Sequence, residues 1–87
     1  EFKSMTQDDK VRACYQHCAL KYVVREQMTN DSLRNRFGLA DSSNAAVSKI
    51  IRYTLDAKLI SVDPTAGASR KYARYVPSWS LPHQIEG

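Results

Sequence analysis

The chain has 87 residues, enough for one domain with a thin core and too few for two. Its hydrophobic fraction of 43% and charged fraction of 25% exclude wholesale disorder, and no apolar run nears the ~20 residues that span a bilayer. Thirteen basic against nine acidic residues give a net charge of +4, which permits phosphate binding without demanding it.

Residues 1–5, Glu1-Phe2-Lys3-Ser4-Met5, lack the apolar stretch of a signal peptide, and the internal Met5 suggests added or linker residues. Residues 6–80 are then expected to form the domain and 81–87 a tail without a packing pattern. The first periodic segment covers about residues 7–25. Val11, Cys14, Tyr15, Cys18 and Tyr22 recur at three- and four-residue steps and predict one buried helical stripe. Asp8 and Asp9 fall in its first turn, where negative charge favours the helix dipole.

Cys14, His17 and Cys18 invite a metal or redox reading. Structural zinc wants four ligands, and no second Cys/His pair follows. A thioredoxin-like site has two residues between its cysteines, and three stand here. The pair is expected to be reduced, metal-free and buried as small apolar side chains, with His17 on a helix flank. Reduced thiols fit the cytoplasm.

Glu26-Gln27-Met28 has room for a very short strand. The cluster Thr29-Asn30-Asp31-Ser32 predicts a helix start, Leu33 and Phe37 give that helix its apolar face, and Gly38 ends it. Asp41-Ser42-Ser43-Asn44 is a second cluster of capping residues. It opens a third helix expected near residues 43–57, with Val47, Ile50, Ile51, Thr54 and Leu55 inward. Asn44, Ser48 and Arg52 step by four along the opposite side, beside Ala45, Lys49 and Asp56. Two helices joined by a short glycine-containing turn match a helix-turn-helix.

After Lys58 the hydrophobic period changes from 3.6 to 2. Strands are expected near residues 59–63 and 70–76, joined by the turn-rich loop Asp63-Pro64-Thr65-Ala66-Gly67-Ala68-Ser69. The fold class is therefore mainly α with a small β-hairpin: a winged helix-turn-helix of three helices and a wing.

Residues 11–79 also resemble a known family, through Met28-Thr29-Asn30, Leu33-Arg34, Arg36-Phe37-Gly38-Leu39, Val47-Ser48-Lys49-Ile50-Ile51, Leu55-Asp56-Ala57-Lys58-Leu59-Ile60 and Ala73-Arg74-Tyr75-Val76-Pro77-Ser78-Trp79. The chain looks like the C-terminal winged-helix module of bacterial transcriptional regulators labelled RecG-like helicases. The resemblance implies a fragment of a longer protein with a Schlafen/AlbA-type domain and an ATP-binding region. Such modules commonly carry glycine where Lys58 stands; a lysine in a left-handed helix end is strained but tolerable, so this departure bears on the local geometry and not on the fold. The helicase label does not transfer, because the sequence has no P-loop.

The expected function is DNA binding in transcription regulation. Asn44, Ala45, Ser48, Lys49 and Arg52 would enter the major groove, and Arg70, Lys71 and Arg74 would hold phosphate or reach the minor groove. Between residues 29 and 76 stand eight basic and four acidic residues, so the whole net charge lies there and the flanks cancel. A solvated helix face and a charged edge strand remain the plain alternatives for these groups. Capping is the plainer role of Thr29, Asn30 and Ser32 beside phosphate contact. Tyr72, Tyr75 and Trp79 are expected in the core, with base stacking as the alternative.

His17 and His83 have no companion carboxylate pair, nucleophile motif or phosphate loop, so no enzyme and no cofactor are expected. The expected partners are double-stranded DNA and a second copy as homodimer, with no membrane. The competing function is a protein–protein docking or dimerisation module of a multidomain ATP-binding regulator. A folded charge map separates the two: DNA binding needs Lys49, Arg52 and the wing basics on one face, whereas docking would show an apolar patch there.

Overall fold

A computed structural model describes residues 2–63 and 73–80. Arg70, Lys71 and Tyr72, the loop at 64–69, and the tail at 81–87 with His83 lie outside the described residues.

A capping box starts the first helix, α1 (Gln7–Val23). The Thr6 hydroxyl accepts from the Asp9 N–H at 3.1 Å, and the Asp9 carboxylate accepts in return from the Thr6 N–H at 3.4 Å. The second helix, α2 (Asn30–Phe37), repeats the device with Thr29 and Ser32 at 3.0 and 2.9 Å. Thr29 and Ser32 are therefore caps. The third helix, α3 (Asn44–Asp56), starts differently. The expected cap cluster coils into a 3₁₀ turn at Asp41–Ser43, and no side chain caps α3.

All three helices end in one geometry. Arg25, Gly38 and Lys58 each take a left-handed φ of 67°, 70° and 63°. The next residue then donates its N–H five residues back: Glu26 to Lys21 at 2.8 Å, Leu39 to Arg34 at 3.1 Å, Leu59 to Thr54 at 3.3 Å. This Schellman arrangement ends α1 at Val23, two residues before the expected boundary. Lys58 thus takes the left-handed helix end that a glycine would take at lower cost. Only Gly38 adopts that conformation without steric cost. Lys58→Gly should therefore stabilise the domain by about 0.5–1 kcal/mol, allowing for the lost charge at a helix C-terminus. Thermal melting should rise by about 2–8 °C. Lys58→Ala loses the charge and keeps the strain, so it should melt no higher than the parent.

After α3 come two short antiparallel strands, β1 (Ile60–Val62) and β2 (Tyr75–Pro77), with Ile60 opposite Pro77 and Val62 opposite Tyr75. The connector residue Met28 bridges the other edge of β2, exchanging bonds of 2.8 and 3.2 Å with Tyr75. Strand β2 runs through Pro77, one residue beyond the expected end. The flanking Ser78 N–H serves β1 through the Leu59 carbonyl at 3.0 Å, so by alternation the missing Pro77 N–H falls on the side beyond the Met28 bridge. The fold is three helices with a two-stranded hairpin, a small winged helix-turn-helix.

The core gathers Cys14 and Cys18 from α1, Met28, Leu33 from α2, Val47, Ile50 and Ile51 from α3, and Ile60. Thr54 is also buried, its hydroxyl donating to the Ile50 carbonyl at 2.8 Å, while Leu55 packs at the margin. Phe2 packs on this core and meets Phe37 edge-on, with ring centroids 4.9 Å apart. Three expectations are corrected. Tyr22 lies outside the buried stripe, at 38% exposure, and His17 takes its place in the interior. Trp79 is 52% exposed. Its indole N–H donates to the Tyr15 hydroxyl at 2.6 Å, and its ring meets Tyr22 edge-on. Tyr15 and Tyr22 thus form a ledge for Trp79. Tyr75 does pack against the core, at its margin. Among the described residues no helix is long and apolar enough to cross a membrane.

Candidate nucleic-acid interface

The helical period of α3 divides it cleanly. Val47, Ile50, Ile51 and Thr54 are buried, and Asn44, Ala45, Ser48, Lys49, Arg52 and Asp56 are exposed. Helix α3 is held from behind by both α1 and α2. Its outer face carries small, polar and cationic side chains, with one carboxylate, Asp56, at its C-terminal end, and no exposed large apolar group. Small side chains let a helix backbone approach a groove floor, and long cations reach edges or phosphates from it.

The turn before α3 is tied by Arg34. From α2 its guanidinium meets Asp31 at 2.8 Å and, across the turn, Asp41 at 3.2 Å. Two carboxylates thus neutralise Arg34. Lys21 is likewise paired with Glu26 at 2.9 Å. Among the described residues no ion pair engages Lys49, Arg52 or Arg74, so their charge is available to a ligand. Arg74 is exposed just ahead of β2, its carbonyl accepting from the Asp63 N–H at 2.8 Å. The other wing cations, Arg70 and Lys71, lie outside the described residues.

One participant was expected only as a cap or phosphate contact at the start of α2, and not as a partner of α3. Asn30, in the first turn of α2, donates from Nδ2 to the Ser48 hydroxyl at 2.9 Å and to the Asn44 carbonyl at 3.4 Å. Its Oδ1 accepts from Arg34 Nη1 at 3.2 Å. The i,i+4 spacing of Asn30 and Arg34 was the available signal; the link to α3 had none. A groove of about 450 Å³ beside this face is lined by Phe2, Gln7, Lys10, Lys49, Ile50 and Tyr53, among others. The Lys10 ammonium already sits 4.2 Å from the Phe2 ring centre.

The Cys14–His17–Cys18 cluster is interior. Burial pushes the Cys14 thiol up to about 11, against a lowering bond to Thr54, and the Cys18 thiol up to about 12. Both therefore stay protonated at neutral pH and are poor nucleophiles. The His17 Nε2 lies 3.0 Å from the Ser32 hydroxyl. Burial, then the Lys21 and Arg36 charges, hold the imidazole below its ordinary value. A folded state that resists protonation binds fewer protons than the unfolded chain below pH ~6.5. The His17 contribution to stability is fully present above that value and is lost as pH falls through the lowered folded-state value. Thermal melting should thus fall as pH drops from neutral to below about 6.5. His17→Gln should flatten that slope; an unchanged slope would assign it to other groups.

In comparisons with known proteins, no family model, curated protein or solved structure matches the chain.

Proposed function

We propose that this domain binds double-stranded DNA, with α3 in the major groove and the hairpin wing on phosphate or in the minor groove. The observation that carries the reading is the outer face of α3. Asn44, Ala45, Ser48, Lys49 and Arg52 stand exposed there, with cations in no ion pair among the described residues and no large apolar side chain among them. That composition is suited to a wet, anionic partner and poor for a dry protein contact. The resemblance to the winged-helix module of RecG-like transcriptional regulators supports the same role, in the cytoplasm, with two copies on adjacent half-sites.

The test is fluorescence anisotropy with labelled duplexes across a salt series. A single domain should bind random duplex weakly, with Kd of about 10⁻⁴–10⁻⁶ M. Lys49→Ala and Arg74→Ala should each weaken every duplex alike and lower the salt slope by about one unit. Slopes equal to the parent's in both variants would make these cations ordinary solvated surface.

A second reading, a protein-docking module, is favoured by a different place. Leu20, Val23 and Val24 are exposed together at the C-terminal end of α1, near Tyr22. It predicts that Val23→Asp alters self-association in sedimentation while leaving DNA affinity alone.

A further inference from the structure

The hydrogen bonds around Asn30 determine more than a contact. An asparagine amide has one end that donates and one that accepts, similar in shape and opposite in chemistry. Here the partners settle which is which. Arg34 can only donate, so the end it meets at 3.2 Å is the oxygen. The Asn44 carbonyl can only accept, so the end it meets at 3.4 Å is the nitrogen. The two constraints come from different elements and agree. Arg34 itself cannot swing away freely, since Asp31 and Asp41 hold it from both sides of the turn.

The consequence falls on Ser48. Its hydroxyl lies 2.9 Å from the same Nδ2 and must accept there. The Ser48 proton is not taken by that bond, and Ser48 donates to no protein group among the described residues. A serine hydroxyl is normally ambivalent, able to turn a proton or a lone pair toward a ligand. This one has a lone pair committed behind it and is biased to present its proton.

We infer that Asn30 is a positioning residue of the α3 face: it sets Ser48 as a hydrogen-bond donor, so that position takes an acceptor on the nucleic acid. In the major groove the acceptors are guanine O6 and N7, adenine N7 and thymine O4, while cytosine N4 and adenine N6 are donors. Ser48 then favours an acceptor over a cytosine amino group, because meeting the amino group would take its second lone pair and leave its proton without a partner on the base. The inference rests on the DNA-binding reading above and goes beyond it, because it assigns a polarity of recognition through a residue on the neighbouring helix.

The test is competitive selection from a duplex library with a randomised centre, using the 87-residue chain and four variants. Asn30→Asp keeps the shape and the Arg34 partner but replaces the donor with an acceptor, so the Ser48 proton turns inward and a lone pair faces out. Its added charge weakens all duplexes alike, so relative preference is the readout. At one base position the preference should move from an acceptor toward a donor by about three- to tenfold, the worth of one hydrogen bond. Ser48→Ala should erase preference at that position, and Asn30→Asp added to it should change preference nowhere. A plain structural role for Asn30 would lower melting temperature without moving base preference, and that outcome overturns the inference. So does a Ser48→Ala profile identical to the parent's while Arg52→Ala still weakens binding; in that case the DNA reading stands and the inference alone fails. If the parent enriches no duplex and shows no salt-dependent binding, both fail together.

Discussion

Leu33→Ala should remove about 2–5 kcal/mol of stability, far more than any substitution on the exposed face of α3. Leu33 is fully buried and is the only buried residue of α2. It joins Cys14, Cys18, Met28, Val47 and Ile50 in one cluster, so truncation leaves a cavity among side chains on fixed backbones. An 87-residue domain has roughly 5–13 kcal/mol in total, so the variant sits near the threshold of folding. Since α2 also carries Asn30 and Arg34, a loosened α2 would release the turn before α3. Urea unfolding followed by circular dichroism should show a lower midpoint at an unchanged slope. Leu33→Met, close in volume, should cost under about 1.5 kcal/mol. A midpoint for Leu33→Ala equal to the parent's would mean that α2 is not docked as described.

On a specific duplex, Arg52→Ala is expected to weaken binding by about 1–3 kcal/mol, a factor of roughly 5–150. Arg52 is exposed on the same face as Asn44 and Ser48, and no carboxylate among the described residues neutralises it. A guanidinium so placed can take guanine O6 and N7 together, which lysine does only as a point charge. Two measurements separate reading a base from holding a phosphate. If Arg52 reads a base, the loss is large on the preferred duplex and about one salt-slope unit on random duplex. If it holds phosphate, the loss is the same on both. Melting temperature should not move, because the side chain packs against nothing in the core. Should the intact chain bind duplex while Arg52→Ala, Lys49→Ala and Arg74→Ala all match it, the α1 patch and the docking reading take precedence.

Much of this architecture was legible in the sequence because its signals are local. The change of period at Lys58 separates α3 from β1. The four-residue steps of Asn44, Ser48 and Arg52 against Val47, Ile50 and Ile51 divide α3 into inner and outer faces. Thr29 and Ser32 announce α2, and Gly38 closes it. Each of these rests on backbone geometry within a few residues, so composition and spacing suffice. The expected cap at residues 41–44 failed for the same kind of reason. Asp, Ser and Asn favour several turn conformations about equally, and a 3₁₀ turn was the one that joined α2 to α3.

What the tertiary structure alone decided depends on partners far apart in the chain. His17 is interior because Ser32, 15 residues on, meets its ring. Trp79 stays at the surface because Tyr15, 64 residues before it, takes its N–H there. Asn30 reaches Ser48 across 18 residues, and Met28 pairs with Tyr75 only once the hairpin has docked. The sequence by itself determined the order of the elements and which side of α3 faces outward, since period and capping are properties of neighbouring residues. The packing of α2 against α3 decided which hydrogen bonds the outward side chains already make, because a polar group's free valence is known only when its distant partners are in place.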